Sequence, residues 1–236
     1  MTDRVGVGAW RWDRHLDNTL SRYLFRYEYD FIRRALGTMA RPVRILEVGC
    51  GSGRIARPLS AEGYDIVGMD PDGIALTLFH ERLDTARLVQ GDAVRLPFSD
   101  RSYDCVMTIE AFQYFTCHHS FFAECNRLLR PNGLLIFQSL NRKNYKRALK
   151  RILGHSPKSG LPSGDLCYED LEEALRAHGF CVESATGYYW MPFSRFSNSP
   201  LVGVTAMIER SLGLNQQYRF SPWLLIAARK VEELKG

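Results

Sequence analysis

Apolar positions along the chain recur at two spacings, and the alternation between them predicts the architecture. Over residues 15–35, Leu16, Leu20, Tyr23, Leu24, Tyr27, Phe31 and Ala35 follow one another at the intervals of a single helix face packed on a neighbour. Arg41-Pro42 ends that segment. Residues 43–48 then form a short apolar run with β-branched members that meets glycines at once, as a buried strand entering a tight turn does. Helical spacing returns over 55–62, stopped by Gly63, and an extended run over 65–69 ends at Asp70. The pattern continues with a helix over 73–83, an extended piece over 87–90 and a strong strand over 104–109. Residues 121–129 read as an amphipathic helix closed by the turn Arg130-Pro131-Asn132-Gly133, ahead of a buried strand over 134–139. A helix over 169–177 with Gly179 as its stop precedes strands over 181–186 and 223–228. Strands alternating with helices predict an α/β fold, a doubly wound and mainly parallel sheet covered on both faces.

Composition narrows the class without changing that picture. The 236 residues, 45% of them apolar, can bury a core without disulfides or metals. No Ser/Gly-rich or Pro-rich linker divides them, so one domain over 1–236 is expected. The six cysteines are scattered with no CxxC pair, which reads as reduced thiols in a cytoplasmic protein. Neither the apolar centre of a leader peptide nor the roughly 20-residue run of a transmembrane segment is visible. A net charge of +5 suits an anionic ligand but lacks the concentrated footprint of nucleic-acid binding, so no nucleic acid partner is expected. One local concentration stands out. Arg142, Lys143, Lys146, Arg147, Lys150 and Arg151 lie opposite Tyr145, Ala148, Leu149, Ile152 and Leu153. That basic amphipathic helix is either a solvated face or a peripheral contact with an anionic membrane, steering an acidic or lipid-linked substrate.

In a doubly wound sheet, ligands bind outside the carboxyl ends of the strands, where strand order reverses. The first strand here ends in Glu47-Val48-Gly49-Cys50-Gly51-Ser52-Gly53. Glycine at every second position lets the backbone turn sharply and approach a ligand, and the helix that follows offers unpaired N–H groups. A dinucleotide fingerprint would need its third glycine at Arg54, which argues against the rival reading of an NAD(P)-dependent oxidoreductase. Asp70, at the next strand end, can accept both hydroxyls of a ribose in a charge-assisted pair, and Asp92 can accept from an adenine amine. The fourth strand ends in Thr108-Ile109-Glu110-Ala111-Phe112.

With these residues in order, the chain resembles the class I S-adenosylmethionine-dependent methyltransferases, in the branch of ubiquinone-biosynthesis and small-molecule enzymes (methyltransferase type 11). The matches are Glu47 to Gly53, Asp70, Asp92-Ala93, Leu96-Pro97-Phe98 before Tyr103-Asp104, and Leu128-Leu129-Arg130-Pro131-Asn132-Gly133. The family usually has a second glycine at Asn132, and Asn also tolerates a left-handed turn. The resemblance implies a seven-stranded, Rossmann-like sheet whose last strand, 223–228, is antiparallel. It implies S-adenosyl-L-methionine as cofactor and S-adenosyl-L-homocysteine as product. Glu47, Gly49, Gly51 and Gly53 would lie against the methionine part and Asp70 would hold the ribose. Pro71 would flank the adenine, Asp92 bind its amine and Ala93 lend a backbone N–H, while Ile109 and Glu110 would line the methionyl end. An N-terminal helical cap over 1–40, with Tyr23 and Tyr27, would cover the site from one side, and an insert or lid over 187–221 would cover the acceptor side.

Methyl transfer from a sulfonium is an in-line displacement, so the protein chiefly aligns the reactants in a dry cleft. A hydroxyl acceptor benefits from a general base, and His118, with Tyr114 nearby, is the candidate because imidazole titrates near neutral pH. Cys117-His118-His119 is not read as a metal site, since three adjacent residues rarely converge on one ion. Within the insert, Trp190 and Arg195 are the candidate acceptor contacts, the arginine for a carboxylate or phosphate. The expected reaction is transfer to an oxygen or nitrogen of a small molecule, sugar or lipid-linked intermediate. The remaining rivals are a nucleic-acid methyltransferase, disfavoured by Glu110-Ala111-Phe112 after the fourth strand, and a non-catalytic cofactor-binding partner protein.

Overall fold

The computed structural model describes residues 17–154 and 166–231. In chain order the elements are α1 (Thr19–Leu36), β1 (Arg44–Val48), α2 (Ala56–Ala61), β2 (Asp65–Asp70), α3 (Gly73–Arg82), β3 (Arg87–Gln90), β4 (Tyr103–Thr108), α4 (His118–Leu128), β5 (Leu129–Leu140), α5 (Tyr145–Ile152), α6 (Tyr168–Ala177), β6 (Phe180–Tyr188), α7 (Leu201–Ser211) and β7 (Trp223–Lys230). The seven strands form one sheet in the order β3-β2-β1-β4-β5-β7-β6. All pair in parallel except β7, which runs antiparallel between β5 and β6. This is the expected α/β sheet with its antiparallel last strand. From β1 the chain moves outward to β2 and β3, then returns to place β4 on the other side of β1, which opens a crevice at the carboxyl ends of β1 and β4.

Strand periodicity divides the core into two layers. Leu46, Val48 and Val106 point to a face covered by Phe112, Phe121, Phe122, Phe137, Leu171 and Leu175. Ile45, Cys105, Met107 and Ile136 point to the opposite face, under Leu20, Leu24, Phe31 and Ile32 of α1 and Val202 and Ala206 of α7. Central strands buried on both faces cannot alternate with polar residues, which is why they read as short apolar runs.

The differences from expectation have local causes. α1 begins at Thr19, where the Asn18 side chain accepts from the Ser21 N–H at 2.9 Å, and the first two residues of the expected helix lie outside the described residues. α4 begins at His118 instead of Phe121. The expected turn Arg130-Pro131-Asn132-Gly133 is a bulge inside β5: Leu129 pairs with Tyr103 and Leu134 with Cys105, so the four residues between them loop out, with Asn132 at φ 60°. β6 runs on through Tyr188, so the insert starts two residues later than 187. Within it lies α7, a helix that the polar–apolar pattern does not reveal. The basic helix is shorter than expected. Arg142 and Lys143 precede it and pair with Asp170 at 3.0 Å and Glu169 at 3.2 Å. No helix among the described residues is long and apolar enough to cross a membrane.

Phe122 is fully buried between α4 and the sheet, with Phe112 and Phe137 ring centroids each 5.6 Å away. Phe122→Ala is expected to lower the free energy of unfolding by about 3–5 kcal/mol, measured by urea denaturation; a loss under about 1 kcal/mol would contradict this packing.

Candidate active site

The crevice at the switch point holds a cavity of about 500 Å³, walled by the loop after β1, the ends of β2 and β4, and one residue of the insert. Glu47 comes from β1 and is buried, with Oε2 lacking any hydrogen-bond partner. Burial pushes its carboxyl up to about 8, against the opposing pull of Arg54 and the Ala56 N–H. Gly49 and Gly51 line the cavity and Gly53 does not. A Cβ at Gly51 (φ +51°) would meet nothing within 4 Å, so the loop presents bare backbone to open space. At Gly53 (φ +81°) a Cβ would stand 2.6 Å from the Phe79 ring; this third glycine serves the packing of α3 on the loop.

Asp70, at the end of β2, does more than face the cavity. Its Oδ2 accepts from the Gly51 N–H at 2.8 Å and its Oδ1 from the Asp72 N–H at 2.9 Å, so it braces the glycine loop. Burial raises its carboxyl, and these two N–H groups oppose the rise. Each oxygen retains lone-pair capacity for a further donor. Pro71, Asp92, buried Ala93 and buried Ile109 also line the cavity.

Glu110 is held in a left-handed conformation (φ 62°) by bonds on both sides: its N–H donates to Gln138 Oε1 at 3.2 Å, and its carbonyl accepts from Gln113 Nε2 at 2.7 Å. Its carboxylate belongs to a buried chain of charges. Arg54 Nη2 lies 2.8 Å from Glu28 Oε2 and 3.5 Å from Glu110 Oε1, while Arg195 Nη2 pairs with Glu110 Oε2. Tyr188 donates to Glu28 Oε1 at 2.8 Å. Burial pushes the Glu28 carboxyl up to about 7 in spite of Arg54. Burial acts the same way on Glu110, but Arg54 and Arg195 together hold its carboxyl below the ordinary carboxylate range. Four segments meet in this chain: α1, the start of α2, the end of β4 and the insert.

The structure separates the remaining candidates. Tyr114, half exposed, stands on the cavity wall. His118 does not line the cavity. Its ring lies 4.3 Å from the Phe112 ring with Nε2 3.3 Å from the Phe112 carbonyl, and its pKa is lowered by burial, against the pull of that carbonyl. Tyr23, Tyr27 and Trp190 do not line it either. Tyr27 bonds Thr186 Oγ1 at 2.7 Å and stacks on Tyr188, Tyr23 packs beside Tyr27, and Trp190 stacks on Tyr145. Arg195 does reach the cavity, yet its charge is committed to Glu110 and its guanidinium lies 5.2 Å over the Trp223 ring. No group of three His, Cys, Asp or Glu side chains among the described residues forms a potential metal site. Sequence reasoning missed Glu28, although a signal was present: it falls four residues after Leu24 on the apolar face of α1. It also read Arg54 only as the absence of a glycine.

Residues 46–137 match the family model described as a methyltransferase domain. Among relatives, the chain is 29% identical over 168 residues to a ubiquinone biosynthesis O-methyltransferase of Rhizobium etli, covering 66% of this chain and 68% of that one. It is 32% identical over 123 residues to a demethylmenaquinone methyltransferase of Thermotoga maritima, covering 51% and 54%. In fold it is similar to a solved S-adenosylmethionine-dependent methyltransferase of Thermotoga maritima, with a TM-score of 0.61 and 17% identity over 93% of this chain and 94% of that one. The chain is a class I S-adenosylmethionine-dependent methyltransferase. Within that class it is similar, over the matched stretches, to the ubiquinone biosynthesis O-methyltransferase and the demethylmenaquinone methyltransferase.

Removing Arg54 would leave the fully buried Glu28 carboxylate without a cation and Glu110 with Arg195 alone. Arg54→Met is expected to destabilise the fold by about 3–5 kcal/mol. The loss should be larger at pH 8 than at pH 5.5. A carboxyl whose folded pKa is raised binds more protons folded than unfolded, so its ionisation penalty grows as pH climbs from the unfolded value toward about 7 for Glu28, and Arg54→Met raises that pKa further. Urea denaturation at the two pH values checks this; equal losses would contradict it.

Proposed function

We propose that the enzyme transfers a methyl group to an oxygen or nitrogen of a small, sugar-bearing or lipid-linked acceptor, working in the cytoplasm with S-adenosylmethionine held in the cavity at β1 and β4. The observation that carries this reading is the pairing of bare backbone at Gly51 with an orphaned, buried carboxyl oxygen at Glu47 on one cavity wall. A ligand that carries an ammonium group and needs close backbone approach fits both. Glu47 and the loop Gly49–Gly51 would hold the methionine part and Asp70 the ribose hydroxyls. Pro71, Asp92 and Ala93 would border the adenine, and Ile109 would close the apolar wall. Gly53 would act at one remove, by letting the loop pack on Phe79. When bound, the cofactor supplies an activated methyl group on a cationic sulfur. The chain's own work is alignment and exclusion of water.

On the acceptor side, Tyr114 would meet the substrate at the cavity wall, while His118 would position the 112–114 turn through the Phe112 carbonyl. Arg195 would close the insert onto Glu110 and meet an anionic acceptor only by sharing that partner. Tyr23, Tyr27 and Trp190 would shape the cap and insert behind this wall. The name of the Rhizobium etli relative favours oxygen as the atom methylated, and both relatives' names favour a quinone-type acceptor.

Calorimetry with S-adenosylhomocysteine tests the cofactor site. Asp70→Asn, which keeps one acceptor oxygen, should weaken binding roughly tenfold, and Asp70→Ala, which also releases the Gly51 N–H, at least roughly a hundredfold. Unchanged affinity in Asp70→Ala would remove the assigned role. Because burial pushes the Glu47 carboxyl up to about 8, it is mostly protonated at pH 7. An incoming ammonium favours its ionised form, so binding should release a proton, seen as a heat that varies with buffer ionisation enthalpy. Glu47→Gln should abolish that variation. In a methyl-donor assay against quinone-type, sugar and amine acceptors, Tyr114→Phe should lower kcat, while His118→Ala should lower Tm and spare affinity for S-adenosylhomocysteine. An inactive enzyme that binds the cofactor normally would favour the non-catalytic partner reading.

A further inference from the structure

A second cavity, of about 1140 Å³, lies between α1, the edge strand β6 and β7, and it shares no lining residue with the crevice at β1 and β4. Its wall on α1 is a single helix face, since Tyr27, Phe31, Arg34 and Ala35 follow one another at helical spacing. Across from it stand residues 183–186 of β6 and Ala227 and Arg229 of β7. Arg210, in the last turn of α7, completes the lining with the segment that follows it. The apolar part of the surface comes from Phe31, Ala35, Ala185 and Ala227.

The charges that line this cavity do not cancel. Arg229 and Glu183 neutralise one another, with Nε paired to Oε1 and Nη2 2.7 Å from Oε2. Among the described residues, neither the Arg34 nor the Arg210 guanidinium makes a hydrogen bond or an ion pair. They come from different elements, yet both act on one oxygen. Burial raises the Tyr27 hydroxyl, while the bond to Thr186 and both of these cations oppose the rise. Two uncompensated guanidinium groups therefore stand within electrostatic reach of one point on the cavity wall. Asp30, one turn before Arg34, also lines the cavity and makes no ion pair among the described residues. Glu209, next to Arg210, is buried and does not line it. The unpaired charge left in the cavity is positive.

We propose that this cavity is a second ligand site, for a small monocarboxylate with an aliphatic body, its carboxylate held between Arg34 and Arg210 and its chain laid on Phe31 and the three alanines. Guanidinium forks match the two oxygens of a carboxylate, and a concave, partly apolar surface with a few convergent polar groups is the usual build of a small-molecule site. A bare inorganic anion would meet the cations and leave the apolar lining in water. Arg34 belongs to the N-terminal helix and Arg210 to the insert, so one bound carboxylate offsets their mutual repulsion and fastens the two segments together. The inference does not rest on the methyl-transfer reading.

The test is titration of the isotopically labelled full chain with hexanoate, followed by amide chemical shifts. Amides of residues 30–35, 183–186 and 210–216 should move with a Kd near or below about 1 mM. Those of residues 47–53 should stay in place, and S-adenosylhomocysteine should not displace the hexanoate. Acetate, hexanol and inorganic phosphate each meet only part of the site and should bind at least roughly tenfold more weakly. Arg34→Gln and Arg210→Gln should each weaken hexanoate binding roughly tenfold, and Asp30→Asn should tighten it several-fold. Arg33→Gln, on the neighbouring α1 residue that pairs with Glu62 outside the cavity, should bind as the parent does. Hexanoate should raise the Tm of the parent and leave that of the Arg34→Gln, Arg210→Gln double variant unchanged. Circular dichroism establishes that each variant is folded. No shift at about 10 mM hexanoate, equal binding of acetate, hexanol or phosphate, or glutamine variants that bind as the parent does would overturn the proposal. So would shifts confined to residues 47–53, or sedimentation equilibrium showing that Arg210→Gln separates two copies. A chain that binds hexanoate but gives no heat with S-adenosylhomocysteine would sink the cofactor reading and leave this second site standing.

Discussion

A single guanidinium between a fully buried carboxylate and one at the cavity wall joins the N-terminal helix and, through Glu110, the insert to the sheet. Arg54 touches Glu28 of the N-terminal helix and Glu110 at the end of β4, and Glu110 in turn pairs with Arg195 of the insert. None of these charges could be removed from water alone, because desolvating an isolated ion in a protein costs several kcal/mol. Two acids and two bases together are neutral, so burial of each is conditional on the others. The arrangement adds little net stability over an apolar cluster of the same size. Its effect is positional, since cap, loop, strand end and insert close in one geometry or leave a buried charge exposed.

The cavity beside it is built on the same principle in miniature. Asp70 accepts two backbone N–H groups and so fixes the glycine loop before any ligand arrives. Glu47 is left with an unpartnered oxygen, and Glu110 is held at positive φ between Gln138 and Gln113. Unsatisfied polar groups and unusual backbone geometry concentrate at the ends of β1 and β4, whereas the sheet itself is fully packed. A reaction that needs alignment and a dry cleft more than proton traffic suits such a site.

The charge distribution extends the theme to the molecular scale. Acids are sparse through the second half of the chain, and the cations there adjoin apolar helix faces that the fold leaves uncovered.

Much of this was legible in the residue order. Short β-branched runs suit central buried strands, and glycines at alternate positions followed by Asp70 and Asp92 mark three successive strand ends; those features determined the sheet, its switch point and one wall of the cavity. α7 was not legible, because it is apolar on its outer as well as its inner face and so lacks the contrast from which a helix is read. Nor were the partners of Arg54, Arg195 and His118. A side chain's spacing along the chain states which face it occupies but not which distant group meets it, and burial of a charge is settled only by that meeting. Gly53 makes the same point from the backbone: its sequence pattern suggested a ligand contact, and only the packed fold put the Phe79 ring where a Cβ would have stood.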